Sequence, residues 1–300
     1  MGSVIPLKNS ANSAYLDLRN LVANKLDKVE GLINIKLESK VNLIQKMTKH
    51  HLNSGGKRLR ALLTLGSAKL AGYDLGGRDI NLASCVELIH SATLLHDDVI
   101  DESNLRRGNK TANSIWGNQS SILTGDYLLS RCFEIMVDDG DLEILKLLSS
   151  TSSKIAQGEV LQLQHKGDAD LLEETYTKII NLKTAALFSA ATKTGACLGK
   201  LNIREKEALA SYGKNLGLAF QIADDALDYF AKEILFGKEV GKDFYEGKTT
   251  LPLIIIFQRA NDEERDFLKE IFKKEKRTED DFSEVLSLIN KYKAVEESFK

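Results

Sequence analysis

The stretch Leu94-Leu95-His96-Asp97-Asp98-Val99-Ile100-Asp101-Glu102 governs the reading of this 300-residue chain. It closes an apolar pattern that begins near Ile80 and carries Val86, Leu88, Ile89, Ala92, Leu94 and Leu95. That pattern is apolar nearly all round, which predicts a buried central helix over 80–100. Asp97 and Asp101 are four residues apart, so a helix places them on one face, one turn apart. Carboxylates held together raise each other's pKa or demand a cation. Hard oxygen donors with few cage atoms suit Mg²⁺, above all where a phosphate completes its shell. The device recurs at Gln221-Ile222-Ala223-Asp224-Asp225-Ala226-Leu227-Asp228, near the end of a helix expected over 204–230. Asp97, Asp98, Asp101, Asp224, Asp225 and Asp228 are therefore candidate metal ligands, on two helices expected to face each other in one bundle. A third acidic cluster, Asp138-Asp139-Gly140-Asp141, sits where a helix ends and glycine enters. It reads as a solvated turn or as the cap of the next helix.

Only two prolines occur, Pro6 and Pro252, so nothing of that kind interrupts the helical patterns between them. Further helices are expected over 13–35, 38–52, from Lys57 to Leu70, 121–137, 142–165 and 171–198, with a charged helical tail from 262. The chain reads as all-α, one domain over 1–300, with ten or more helices around a central apolar cavity and a flexible segment at 1–10. Its 41 basic and 43 acidic residues balance to a net charge of −2, which gives no reason to expect a nucleic-acid partner. Cys85, Cys132 and Cys197 are far apart in apolar contexts and read as reduced, buried thiols of a cytoplasmic protein. The N-terminus lacks a basic run before an apolar core, and the apolar run Leu253–Phe257 is too short to span a bilayer, so a soluble protein is expected.

Cations accompany the carboxylates. After Ser54-Gly55-Gly56 comes Lys57-Arg58-Leu59-Arg60, where positive charge opposes the macrodipole of the helix it opens. Beside two glycines this suggests an anion site, with a solvated basic turn as the alternative. His90 lies seven residues before Asp97, on the same face two turns away; it is either a satisfied core histidine or a ligand-binding one. Arg106-Arg107-Gly108 follow the first motif and offer fork geometry for phosphate oxygens, although a local Asp–Arg pair would also explain the charges. Lys183-Thr184-Ala185 sets a cation among small and apolar residues, where a buried lysine needs an anionic partner and an exposed one would only form a polar stripe. A glycine- and lysine-rich loop over 237–249, containing Lys238 and Lys248, can close over phosphates, yet it lacks the frame of a P-loop. Taken together, these residues imply a ligand with a diphosphate head at the mouth and a hydrocarbon tail within. Metal-assisted departure of diphosphate from an allylic carbon fits this layout, and an apolar cavity would keep water from the resulting cation.

These residues resemble the trans-type isoprenyl diphosphate synthases. The matching motifs are G-G-K-R-L-R at 55–60, H-D-D-V-I-D-E-S-N-L-R-R-G at 96–108, K-T-A at 183–185, Q-I-A-D-D-A-L-D at 221–228 and G-K-E-V-G-K-D-F-Y-E-G-K-T-T-L-P at 237–252. The resemblance implies that Asp97, Asp98, Asp101, Asp224 and Asp228 bind up to three Mg²⁺ ions with the allylic diphosphate. Arg106, Lys183, Gln221, Lys238 and Lys248 would hold that diphosphate, with Thr184 and Gln221 near the cation. Lys57, Arg60, His90 and Arg107 would bind isopentenyl diphosphate. The implied assembly is a homodimer that touches membranes at most peripherally, for product release. Ala61 stands where the family commonly has proline, and the chain ends sooner after Glu296-Glu297-Ser298 than is usual there, which implies a trimmed C-terminal helix.

Product length should depend on Ala92 and Thr93, one turn below Asp97. In the family, bulk here stops the product early; small residues let it run on past Ile89 and Val86. The helix from Asp97 back to Ile80 offers roughly 25 Å. The resemblance therefore implies a long-chain product near C40, of the kind used for quinone side chains, from a farnesyl diphosphate primer. The alternatives are a C15–C20 synthase, a class I terpene cyclase and a non-catalytic synthase subunit.

Overall fold

The computed structural model describes residues 8–74, 76–230 and 240–300. In chain order these form α1 (Lys8–Lys36), α2 (Asn42–Asn53), α3 (Leu59–Leu70), α4 (Arg78–Ile100), a hairpin of β1 (Leu105–Arg106) and β2 (Asn109–Lys110), α5 (Ala112–Trp116), α6 (Asn118–Asp139) and α7 (Leu142–Gln164). Then come α8 (Glu173–Ile180), a π-helical turn (Asn181–Ala185), α9 (Ala186–Cys197), α10 (Ile203–Leu227), α11 (Lys242–Glu246), α12 (Leu251–Arg259), α13 (Asp262–Lys273), α14 (Glu279–Lys291) and α15 (Ala294–Ser298). The all-α class read from the sequence holds. None of the described helices is long and apolar enough to cross a membrane.

The described residues divide into two compact units, one within 1–100, 112–149 and 188–213, the other within 101–111, 150–187 and 214–300. In the first unit α4 packs on α6, α3 and α1. Val86, Leu88, Ile89, Ala92 and Leu95 are each 0% exposed, the packing that an all-round apolar helix requires. Burying each of the larger aliphatic side chains is worth about 1.5–3 kcal/mol before chain entropy is counted. Cys85 and Cys132 are buried free thiols, each donating to the other's carbonyl at 3.7 and 3.6 Å.

The third acidic cluster is a helix junction. Gly140 takes the left-handed conformation that ends α6, and Asp141 Oδ1 accepts from the amides of Glu143 and Ile144 at 3.0 and 3.3 Å. Arg78 binds Asp139 at 2.8 Å and Asp141 at 3.2 Å. Asp141 therefore caps α7.

In the second unit Phe244, Leu253, Ile256 and Leu268 are 0% exposed at the centre of an apolar cluster. Arg277 stacks over Phe272 at 4.8 Å. Asn261 with Glu264 and Thr278 with Asp281 form capping boxes that start α13 and α14, each satisfying two otherwise orphaned amides.

Among the boundaries that differ from the sequence expectation, three have a clear local cause. α2 starts at Asn42 rather than 38, because Val41 is extended and serves as its N-cap. Arg58 is left-handed, with φ 47°, so α3 begins at Leu59 and the Lys57-Arg58 pair precedes it. The helix expected over 171–198 is divided by the π-helical turn that carries Lys183 and Thr184. Such turns concentrate at functional sites.

Candidate active site

In the first unit, α5 and α6 clamp the C-terminal end of α4. The last carbonyls of a helix lack intrahelical partners. Here Ser121 Oγ donates to Leu95 O at 2.9 Å and Asn113 Nδ2 to Asp98 O at 3.1 Å. His96 Nε2 lies 3.1 Å from Ile122 O and 3.3 Å from Asp126 Oδ1. Asp97 is half-buried, whereas Asp98 is 2% exposed.

The basic motif at the start of α3 is organised by a carboxylate that is not among the site residues expected from the sequence. Glu87, 3% exposed, accepts from the Ala61 amide at 3.0 Å and lies 3.8 Å from Arg58 Nη1. A carboxylate on the same apolar helix, three residues before His90, was the available signal. Arg58 also faces Glu30 at 3.6 Å. The Arg60 guanidinium lies over Phe188 at 4.6 Å; burial pushes its pKa down to about 10 against the pull of Glu87. Lys57 is exposed and His90 half-buried.

In the second unit Asp101 follows α4, and Glu102 turns the chain with φ 50°. Lys248 Nζ lies 3.1 Å from Asp101 Oδ2 and 2.7 Å from Glu246 Oε2. Burial alone would raise the Asp101 pKa, but Lys248, Lys183 and Lys242 hold it below the usual range. Burial alone would lower that of Lys248, but Asp101, Asp243 and Glu246 raise it. Arg106 pairs with Asn109 across the hairpin. Arg107 and Gly108 form its tip with φ 53° and 77°, a two-residue turn with both central residues left-handed. No hairpin is expected here from the sequence; Gly108 after the arginines is its local signal.

Lys183 in the π-helical turn makes an ion pair with Glu159 and donates to Gln162 Oε1 at 3.0 Å. A Cβ on Gly158 would sit 2.7 Å from the Lys183 amide nitrogen, so only glycine lets α7 approach this turn. Thr184 Oγ1 donates to Gln221 Oε1, Gln221 Nε2 to Asp225 Oδ1, and Tyr176 Oη to Asp225 Oδ2, all at 2.7 Å. Burial, reinforced by Asp224, pushes the Asp225 pKa up to about 6. Asp224 is exposed and Asp228 half-buried, and Asp228 Oδ2 accepts from the Asp243 amide at 2.9 Å. Gln162, Lys183, Thr184, Gln221, Asp225 and Lys248 are among the residues lining a cleft of about 90 Å³. Lys238 lies outside the described residues.

Among the described residues no three His, Cys, Asp or Glu side chains converge to hold a metal ion by themselves. The donors at hand are hard carboxylate oxygens, several of them reachable from solvent. This set fits Mg²⁺, which keeps several waters and takes one or two carboxylates beside substrate phosphates.

An all-helical protein with paired aspartates, a lysine-bearing π-turn and a hydroxyl–amide–carboxylate chain beside a cleft has the build of an isoprenoid synthase. The polyprenyl synthetase family model matches residues 41–289. The chain is 40% identical over 252 residues to octaprenyl diphosphate synthase of Escherichia coli K12, covering 84% of this chain and 78% of the relative. It is 42% identical over 258 residues to the all-trans-nonaprenyl-diphosphate synthase (geranyl-diphosphate specific) of Rhodobacter capsulatus, with the same coverages of 84% and 78%. A polyprenyl synthase from Caulobacter crescentus CB15, solved as a complex with calcium and isoprenyl diphosphate, superposes with a TM-score of 0.90 at 43% identity, over 95% of this chain and 86% of that one. The chain belongs to the polyprenyl synthetase family and is a trans-prenyltransferase, grouped by identity with long-chain prenyl diphosphate synthases.

Proposed function

We propose that this enzyme condenses isopentenyl diphosphate with an allylic diphosphate primer, farnesyl diphosphate, in a Mg²⁺-dependent reaction that extends the chain to near C40 for quinone side chains. The carrying observation is the 40% identity to an octaprenyl diphosphate synthase over most of the chain. Ala92 and Thr93, one turn before Asp97 on α4, agree with it, because neither side chain is itself bulky.

Asp97, Asp101, Asp224 and Asp228 are the residues that would hold Mg²⁺, with Asp98 nearby in sequence but buried. The ion, when bound, neutralises charge on the departing diphosphate. Arg106, Lys183 and Lys248 hold the allylic diphosphate, with Lys238 from the same glycine- and lysine-rich segment. Lys57, Arg60, His90 and Arg107 take isopentenyl diphosphate. Arginine forks suit its phosphate oxygens, and Arg60 sits against the Phe188 ring. Thr184 and Gln221 present oxygen dipoles to the allylic cation. The alkene of isopentenyl diphosphate attacks that cation, and the released diphosphate removes the proton. The working form is a homodimer located in the cytoplasm. The exposed α6 residues Leu123, Phe133 and Val137 form a helical apolar stripe that a second copy would cover.

Incubation of the purified chain with farnesyl diphosphate, labelled isopentenyl diphosphate and Mg²⁺ tests this reading. The expected result is a product near C40, lost on chelation of the metal. A product that stops at C15 or C20 overturns the long-chain assignment, and turnover without isopentenyl diphosphate points to a cyclase. Inactivity of the chain alone points to a subunit role. A parallel reaction primed with geranyl diphosphate tests the primer, which the name of the Rhodobacter relative makes the competing choice.

A further inference from the structure

The two adjacent aspartates of the second motif differ sharply in surroundings. Asp224 is exposed, while Asp225 is 4% exposed with both oxygens occupied. Oδ1 accepts from the Gln221 amide nitrogen and Oδ2 from the Tyr176 hydroxyl, each at 2.7 Å. Tyr176 is itself 3% exposed within an apolar cluster that includes Leu171, Ile180 and Ile254, and its hydroxyl donates to Asp225. A buried tyrosine hydroxyl needs a partner, so the two groups stabilise each other's burial.

The pairing carries direction. An ionised carboxylate only accepts, whereas a glutamine amide donates from nitrogen and accepts at oxygen. Asp225 therefore draws the Gln221 nitrogen to itself and turns the amide oxygen to the other side. There it meets Thr184 Oγ1 at 2.7 Å. The amide oxygen can only accept, so Thr184 must donate, and its oxygen offers lone pairs rather than a proton on its remaining side. With the amide reversed, its oxygen would meet a carboxylate oxygen at the same short distance, an unpaired contact in a buried place. The spacing supports this arrangement: Gln221 and Asp225 stand four apart on α10 and share a face.

We propose that Asp225 and Tyr176 are positioning residues for the condensation. Together they fix the sense of the Gln221 amide and, through it, the direction of the Thr184 hydroxyl, and Asp225 is not a metal ligand. This rests on the reading that Thr184 and Gln221 face the reacting carbon. On that reading, a hydroxyl turned the wrong way would present its proton to a developing positive charge. The motif D-D-x-x-D at 224–228 then divides its labour, with Asp224 and Asp228 left for the ion and Asp225 turned inward.

The test compares Tyr176→Phe, Asp225→Asn and the double variant with the parent in the Mg²⁺-loaded condensation, with Asp224→Asn as the reference for a lost ligand. Tyr176→Phe and Asp225→Asn are each expected to lower kcat about tenfold, the order expected for one misdirected hydrogen bond. Neither should change the KM for isopentenyl diphosphate, nor the Mg²⁺ concentration for half-maximal rate by more than about twofold. The double variant should be no slower than Asp225→Asn, because both act through one amide. Asp224→Asn should raise the Mg²⁺ requirement about tenfold or more. An equal rise in Mg²⁺ requirement for Asp225→Asn, or an undiminished kcat for Tyr176→Phe, overturns the proposal. If Asp224→Asn leaves the Mg²⁺ requirement unchanged, the metal reading of the motif fails instead, and the kcat of Tyr176→Phe still decides the positioning role. Tyr176→Phe keeps the ring in its apolar cluster, so a folded variant remains for the test even if Asp225→Asn does not fold; thermal melts of all variants establish this.

Discussion

Gly125, in the middle of α6, makes room for the residue that precedes the first aspartate motif. A Cβ built there would lie 2.3 Å from His96 Nε2 and 2.6 Å from Cδ2. Ordinary contact needs roughly 3.5 Å, so the shortfall is about 1 Å. The ring is held by Ile122 O at 3.1 Å and Asp126 Oδ1 at 3.3 Å; to escape the new methyl it must leave both. Gly125→Ala therefore sets an overpacking cost of about 1–3 kcal/mol and a lost hydrogen bond of about 1 kcal/mol against a helix-propensity gain of about 1 kcal/mol. The expected net loss is about 2 kcal/mol, or roughly 4–8 °C in melting temperature. The same change made on a His96→Ala background meets no ring and should stabilise the protein by about 1 kcal/mol. The cycle thus predicts a coupling of about 3 kcal/mol between the two positions. Urea unfolding of the four proteins measures it. Equal effects of Gly125→Ala on both backgrounds would refute the packing argument.

Asp141→Ala should cost about 1 kcal/mol at pH 7 through loss of the α7 cap. The native pKa of Asp141 is depressed: burial opposes ionisation, but the Ile144 and Glu143 amides and Arg78 outweigh it. A carboxylate depressed in this way stabilises the fold above its unfolded value and loses that contribution as pH falls through its native value. The stability gap between parent and variant in thermal melts should accordingly narrow towards acid pH; a constant gap would exclude a charged cap. Thr93→Phe should shorten the product from near C40 to C20 or less, read by chromatography against polyprenol standards. Ala92→Phe should shorten it too, but Ala92 is 0% exposed, so its added ring also carries an overpacking cost of about 1–3 kcal/mol. Unchanged product length in both would refute the placement of the tube.

The local periodic features are legible in the sequence. Apolar spacing gave α1, α4, α6, α7 and α10 to within a few residues, since a helix is encoded by its own residues and their neighbours three and four positions away. The junction at Asp141 was readable for the same reason, because a cap is a contact between near neighbours in sequence. The Lys183-Thr184 motif was legible as chemistry but not as backbone: a continuous helix was expected, and the chain instead widens into a π-turn against which Gly158 packs.

The sequence alone determined the helical class, the two aspartate motifs and the cations that accompany them. It could not rank neighbours within a motif. Asp97 and Asp98, or Asp224 and Asp225, are identical letters side by side, yet the fold buries the second of each pair. Nor could it name Glu87, Glu159 or Tyr176, whose partners lie 26, 24 and 49 residues away along the chain. Which carboxylate loses its water, and which donor it receives in exchange, depends on what packs over it. That is set by contacts between segments distant in sequence, so only the tertiary structure decides it.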